Sequence, residues 1–415
     1  MLPDKKEQTT ALGHLRVLDL SRILAGPWTT QVLGDLGADV IKIEHANGDD
    51  TRQWGPPFVE ETGNDERDAA YFTACNRNKK SIIVDFGKPE GSDLIRQMAE
   101  HCDIVIENFK VGTLAKYRLD YESLKAVNPK LIYCSISGFG QVGPYADRRG
   151  YDFLIQGMSG LMSITGQPDG QPGTDPTKVG VAAMDLTTGM YATVSILAAL
   201  THRDRTGQGQ HIDCALFDSG VALLANQASN WLVGGVTPKR MGNNHPNIVP
   251  YRTYEVSDGH VIITCGNDDQ FVRLCQALGL SHLASQKDYA RNEDRMKNRD
   301  ALDTLIGDAI AHMNRDQVLA IVQAAGVPCG PINTVQEVFA DPNTKARGLE
   351  IEMTRDKGEV IRSVAFPARL SETPATYRRA PPKLGADTDD VLEQVLKLSP
   401  GQIAKLKEKK VIGQT

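Results

Sequence analysis

A carboxylate among apolar residues is a place where chemistry can be expected, and the stretch KVGVAAMDLTTGMYATVSILAAL (178–200) holds one, Asp185. In water its pKa is ~3.9, and burial disfavours the ionised form unless something compensates. Two roles compete for such a residue. It can be a helix N-cap that accepts the first free N–H groups of the helix behind it. It can also be a reactive carboxylate held at a helix start and facing a pocket. This window alone leaves both open. Other chemistries have little support: the seven cysteines show no CxxC spacing and the nine histidines are scattered, so a zinc site is not expected. GQGQH (207–211) precedes the strand-like HIDCALF and reads as a turn. No GxGxxG nucleotide fingerprint is present.

The elements that must position Asp185 alternate in the first half of the chain. LRVLDLS (15–21), DVIKIE (39–44), SIIVDF (81–86), DIVIENF (103–109) and LIYCSIS (131–137) read as strands. Gly26-Pro27 opens a helix, and PEGSDLIRQMAEHC places Leu94, Ile95, Met98, Ala99 and Cys102 on one helical face. Such alternation predicts an α/β fold with a mostly parallel sheet covered by helices. Ligands of these sheets sit at the carboxyl ends of strands. The residues to watch are therefore Ser21-Arg22, Glu44-His45, Glu107-Asn108-Phe109 and Ser137-Gly138-Phe139.

At 415 residues, one large and one smaller domain are expected. The character changes near residue 225, where a helical stretch leads into the Gly/Asn/Pro-rich GNNHPNIVPY (242–251). The division expected is a large domain over 1–225, a small α+β domain over 226–330, and a C-terminal segment, 331–415, returning to the large one. The LSPGQIAKLKEKK tail reads as a solvated surface helix. Net charge −6 argues against general nucleic-acid binding. Unpaired cysteines in apolar runs, a polar N-terminus and apolar stretches broken well short of ~20 residues suggest a cytoplasmic protein with no membrane span.

Taken in order, LAGPWTTQVLGDLGADVIKIE, GDDTRQW, NRNKKSI, ENF, YCSISGFGQVGPY, GYDFLIQGMSGLM, MDLTTG, TGQGQHIDCALFD, GNNHPNIVPY, AGVPCGPINTVQEVFADP and PPKLGADTDDVL resemble the class III (CaiB/BaiF-type) CoA-transferases from Leu15 to about Leu392. The resemblance implies a Rossmann-like large domain, an interlocked homodimer, and Asp185 as the nucleophile. A coenzyme A thioester would be the substrate, with no permanently bound cofactor. An ionised aspartate attacks a thioester without a separate base, forming a mixed anhydride and then an aspartyl-CoA thioester. The CoA contacts carried over are Leu24, Ala25, His45, Val84, Asp85, Asn108, Phe109, Lys116, Ser137 and Phe139, with His45 and Ser137 standing where relatives carry more positive charge.

In relatives acting on oxalate, Trp54 matches a tryptophan, Phe139 a tyrosine and Leu24 a glutamine. The less polar pocket here favours a longer dicarboxylate, and the chain looks most similar to the branch that moves CoA from succinyl-CoA to glutarate. Arg52 is a candidate partner for a distal carboxylate or a structural ion pair, and Trp54, Tyr151, Asn243 and His245 complete the expected acid pocket. An α-methylacyl-CoA racemase needs a histidine where Tyr151 stands, and tyrosine is a poor base at neutral pH. A non-catalytic CoA-binding protein is the remaining alternative.

Overall fold

The computed structural model describes residues 10–59, 67–355 and 358–413. It divides into two compact units. The larger comprises Met1–Leu161, Lys178–Gly235 and Lys345–Thr415; the smaller comprises Met162–Thr177 and Val236–Thr344.

In the larger unit, strands β1 (Arg16–Asp19), β2 (Asp39–Glu44), β3 (Lys79–Ile83), β4 (Ile104–Glu107), β5 (Ile132–Ser137) and β6 (His211–Ala215) form one sheet in the order β3-β2-β1-β4-β5-β6. Every pair in it is parallel. Both faces are buried, so alternate residues feed different cores. Val17, Val40, Ile104, Ile106 and Ile132 pack with Leu33, Ala192 and Ile196 on one side. Leu18, Ile41, Val105 and Tyr133 pack with Leu94, Ile95, Met98, Val391 and Leu392 on the other. The chain crosses from one half of the sheet to the other between β1 and β4, which opens a crevice at their carboxyl ends.

The strands fall where the alternation places them, except that β3 begins two residues early, at Lys79. A charged residue at that position reads as loop, yet Lys79 is fully buried and bonds Asp19, the Pro27 carbonyl and Asn76. The C-terminal helices Thr388–Leu396 and Pro400–Glu408 return to the larger unit and bury Val391, Val395 and Ile403.

The smaller unit has an antiparallel sheet of β7 (Tyr251–Val256), β8 (Gly259–Thr264) and β9 (Cys329–Pro331). Tyr254 and Ile263 pack there with Phe271, Leu274, Leu302, Ile306, Val318 and Val322 from its helices. Its extent differs from the expected 226–330 span: residues 226–235 belong to the larger unit, residues 331–344 stay with the smaller one, and Met162–Thr177 joins it. The Gly242 N–H donates to the Gly166 carbonyl at 2.9 Å and Arg240 Nε to the Gln167 carbonyl at 3.3 Å. Contacts over that sequence separation leave no local pattern to read.

Among the described residues one helix, Ala183–Thr206, has the length and composition to cross a membrane. Met184, Thr188, Ala192, Ile196 and Ala199 are buried along it, against the Ala25–Asp35 helix and the sheet. Packing inside the larger unit accounts for part of its apolar character, while Met190, Tyr191 and Val194 on the same helix are exposed. All seven cysteines are free thiols, six of them buried.

Candidate active site

Asp185 lies in the first turn of the Ala183–Thr206 helix, and Ala182, not Asp185, occupies the cap position. The capping role goes to a different residue: Asp152 Oδ1 accepts the Met184 N–H at 2.7 Å. Asp185 is thereby left for another purpose. The backbone N–H of Ala25, the first residue of the Ala25–Asp35 helix, acts on its carboxylate and favours the charged form. Two helix N-termini therefore converge on one carboxylate.

Gly189 permits this convergence. A Cβ there would stand 2.8 Å from the Ala25 carbonyl oxygen and 3.2 Å from Trp28 Cδ1. Glycine in a helix interior costs about 0.5–1 kcal/mol relative to alanine. Here it brings the helices close enough for Thr29 Oγ1 to donate to the Gly189 carbonyl at 3.0 Å.

Burial, then the neighbouring charge of Asp152, push the Asp185 carboxyl up to about 7, against the opposing pull of the Ala25 N–H. A nucleophile wholly ionised at neutral pH is the expectation from sequence. Burial holds the carboxyl well above the ordinary carboxylate range in the free protein, so protonation competes with ionisation near neutral pH. Tyr71 stands close enough for Asp185 to help raise its phenol to about 12, after burial. Trp54, about half exposed, meets Tyr71 edge to face at 5.2 Å between ring centroids.

The turn that presents Ala25 is strained. Ile23 has φ +72°, where a β-branched residue is rare. Both Asp49 carboxylate oxygens lie 3.3 Å from its N–H, and Asp49 also pairs with fully buried Lys42 at 3.0 Å. Lys42 donates to the Ser21 carbonyl at 2.8 Å. From across the crevice Asn108 accepts the Arg22 N–H at 2.9 Å and returns a bond to the Arg22 carbonyl at 2.6 Å. The end of β4 thus locks the turn after β1.

A cleft of about 360 Å³ opens here, lined by Ala25, Asn108, Phe109, Ser137, Tyr151 and Asp185 among the residues foreseen from sequence. Its remaining wall includes Arg22, Lys110, Arg148 and Arg149. Gly138 and Gly150 close one side, where a Cβ on Gly138 would come within 2.6 Å of the Gly150 Cα. A second, more apolar cleft of about 300 Å³ shares Arg22 and Phe109 and is lined by His45, Val84, Asp85, Ile43, Phe86 and Tyr117.

Several expected residues lie elsewhere. Leu24 is buried at the start of the Ala25–Asp35 helix and Phe139 is buried against Tyr145 and Phe217. Lys116 is exposed and lines neither cleft. Arg52 is a correction. It is buried, gives Nε and Nη2 to Glu44, Nη1 to Asp68, and stacks over Phe72 at 3.7 Å. Its guanidinium is held inside the protein and does not present itself to a substrate. Asn243 and His245 lie in the smaller unit, where Asn243 donates to Thr253 and His245 packs on Tyr251.

Sequence reading misses Tyr71, Asp152 and the cations Lys110, Arg148 and Arg149. Arg148-Arg149 precede the GYD motif, so an adjacent basic pair is the available signal. Among the described residues no cluster of His, Cys, Asp and Glu is arranged to hold a metal ion.

Comparison with known proteins gives the family. A model of CoA-transferase family III matches residues 12–388. The succinate–glutarate CoA-transferase of Agrobacterium fabrum is 49% identical over 395 residues, 95% of this chain and 98% of that protein. The succinyl-CoA:glutarate CoA-transferase of Homo sapiens is 41% identical over 405 residues, 97% of this chain and 90% of that one. A CAIB/BAIF family protein from Brucella suis, solved by crystallography, aligns with a TM-score of 0.83 at 52% identity, covering 94% of this chain and 100% of that one. These matches run through the strands, the turn and the helices that build the cleft, and the chain belongs to CoA-transferase family III.

Proposed function

We propose that this CoA-transferase moves CoA from succinyl-CoA to a dicarboxylate such as glutarate, with Asp185 as the nucleophile. The observation that carries the reading is a partly buried carboxylate at two converging helix starts, in a cleft at the crossover of a parallel sheet. The relatives named for succinate and glutarate support the choice of acids.

An ionised Asp185 oxygen attacks the thioester carbonyl, the C–S bond breaks, and a mixed anhydride and CoA thiolate result. The thiolate attacks the aspartyl carbonyl of that anhydride, expelling succinate and leaving an aspartyl-CoA thioester. Glutarate then attacks this thioester, releasing thiolate and forming a second anhydride. The thiolate takes the glutaryl group and returns Asp185 as carboxylate. No net charge or proton is consumed. A carboxylate with raised pKa is a stronger nucleophile in its ionised form, and the N–H groups at the Ala25 helix start suit the oxyanion of each tetrahedral intermediate.

Arg22, Lys110, Arg148 and Arg149 supply positive charge for the CoA phosphates, and the second cleft offers an apolar slot between Phe86, Phe109 and Tyr117 for the flat base. Trp54 and Tyr71 border the acyl group near Asp185. Racemase chemistry lacks support, because Tyr151 replaces the histidine base that it needs. An interlocked homodimer is part of the proposal, supported by exposed Met190, Tyr191 and Val194 on one helix and Trp231, Leu232 and Val233 on another. So is a cytoplasmic location, supported by the free thiols, and the absence of nucleic-acid and membrane partners, supported for nucleic acid by net charge −6.

The test is incubation with succinyl-CoA and a panel of carboxylates, with new thioesters identified by mass spectrometry. Glutaryl-CoA is expected, with hydroxylamine trapping an adduct on the Asp185 peptide. Transfer to no C4–C6 dicarboxylate would reject the choice of acids, and an Asp185→Ala protein as active as the parent would reject the nucleophile.

A further inference from the structure

The chain leading into Asp185 is gripped at two points by the Asp152–Met158 helix. Asp152 Oδ1 takes the Met184 N–H at 2.7 Å, one residue before the nucleophile. Gln156, fully buried, takes the Val179 N–H through Oε1 at 2.8 Å and gives Nε2 to Asp152 Oδ2 at 2.6 Å. Both Asp152 oxygens and both ends of the Gln156 amide are thus committed. A neutral Ser, Thr or Asn could also take the Met184 N–H. An aspartate does so while placing a second negative charge beside Asp185.

We propose that Asp152, oriented by Gln156, is a positioning residue for CoA transfer, fixing the turn that carries Asp185 and holding a like charge against it. The proposal rests on the reading of Asp185 as nucleophile. Repulsion between the two carboxylates is present before attack. It is relieved as the Asp185 charge passes to the thioester oxygen and the aspartyl group becomes neutral in the anhydride. An interaction that is unfavourable in the ground state and lost in the transition state lowers the barrier. The same repulsion contributes to the raised pKa of Asp185. The other groups facing the pair are Tyr71 on the Ala70–Thr73 helix, with Cys75 and Asp49 beyond it, the Ala25 N–H, and the cleft cations Arg22, Lys110, Arg148 and Arg149.

The test compares Asp152→Asn, Asp152→Glu and Gln156→Met with the parent in kcat/KM for succinyl-CoA and glutarate from pH 5.5 to 9. Asp152→Asn keeps an oxygen for the Met184 N–H and removes the charge. Its acid limb is expected to fall by about one pH unit, with kcat about tenfold lower on the plateau. Asp152→Glu keeps the charge and is expected to keep the limb in place while losing rate. Gln156→Met is expected to lower kcat with KM for the acyl-CoA unchanged. An Asp152→Asn limb coincident with the parent's would overturn the proposal, whatever its rate.

A readout without substrate separates this failure from that of the proposed function. Urea unfolding of each protein against its own Asp185→Asn partner locates the Asp185 titration directly, and in the Asp152→Asn background that titration should move to lower pH. A parent inert toward every acid would reject the proposed function, while the unfolding comparison would still decide whether Asp152 acts on Asp185.

Discussion

Replacing Asp185 by Asn should stabilise this protein while abolishing its activity. The folded carboxyl is displaced from 3.8 to about 7, so between those pH values the folded protein binds a proton that the unfolded chain has released. Stability contributed by the protonated carboxyl is fully present below about pH 4 and is lost as pH rises to about 7. At about 1.4 kcal/mol per pH unit, a displacement of about three units sets a ceiling of about 4 kcal/mol. Asp185 is only partly buried and lines an open cleft, where solvent screens the penalty, and about 1–2 kcal/mol is the effect to expect. The assay is urea unfolding of both proteins from pH 4 to 8.5. Their difference cancels every other titrating group. Asp185→Asn should match the parent near pH 4, gain on it through pH 7 and then hold constant. A difference that stays at zero, or that favours the parent at pH 8, would refute the electrostatic account of the site.

Three further outcomes follow from neighbouring geometry. Gly189→Ala should push its helix from the Ala25 carbonyl, draw the Ala25 N–H away from Asp185, raise the acid limb of kcat/KM and lower transfer at least tenfold; a parent-like pH profile would count against that contact. Arg52→Met removes the guanidinium paired with Glu44 and one of the two arginines on Asp68, which keeps Arg355, so about 3 kcal/mol of stability should be lost in urea unfolding, with KM for glutarate little changed in the folded fraction; a selective rise in that KM would restore the substrate role. Joint replacement of Arg148 and Arg149 by Ala should raise KM for the acyl-CoA about tenfold and flatten its dependence on salt, measured between 20 and 300 mM (about 20 to about 6 Å in screening length).

Much of the architecture is legible because its cause is local. Near-continuous apolar runs in VIKI and IVIE have to be buried on both sides, which points to β2 and β4 in a covered parallel sheet. The rule that ligands gather at strand ends then points to Arg22, Asn108 and Ser137, and all three line the cleft. Asp185 stands out for a similar reason: a carboxylate in an apolar stretch needs an explanation.

The strands, their polar ends and the anomalous aspartate can be read along the chain, since each depends on neighbours a few positions away. Tertiary structure alone decided how those residues behave. Asp185 is not a cap because Asp152, 33 positions earlier, takes that work, and its acidity follows from Asp152 and from Ala25, 160 positions earlier. Arg52 turned inward because Glu44 and Asp68 meet it there. Desolvation and Coulomb forces act through space, at distances that the order of residues along the chain does not encode.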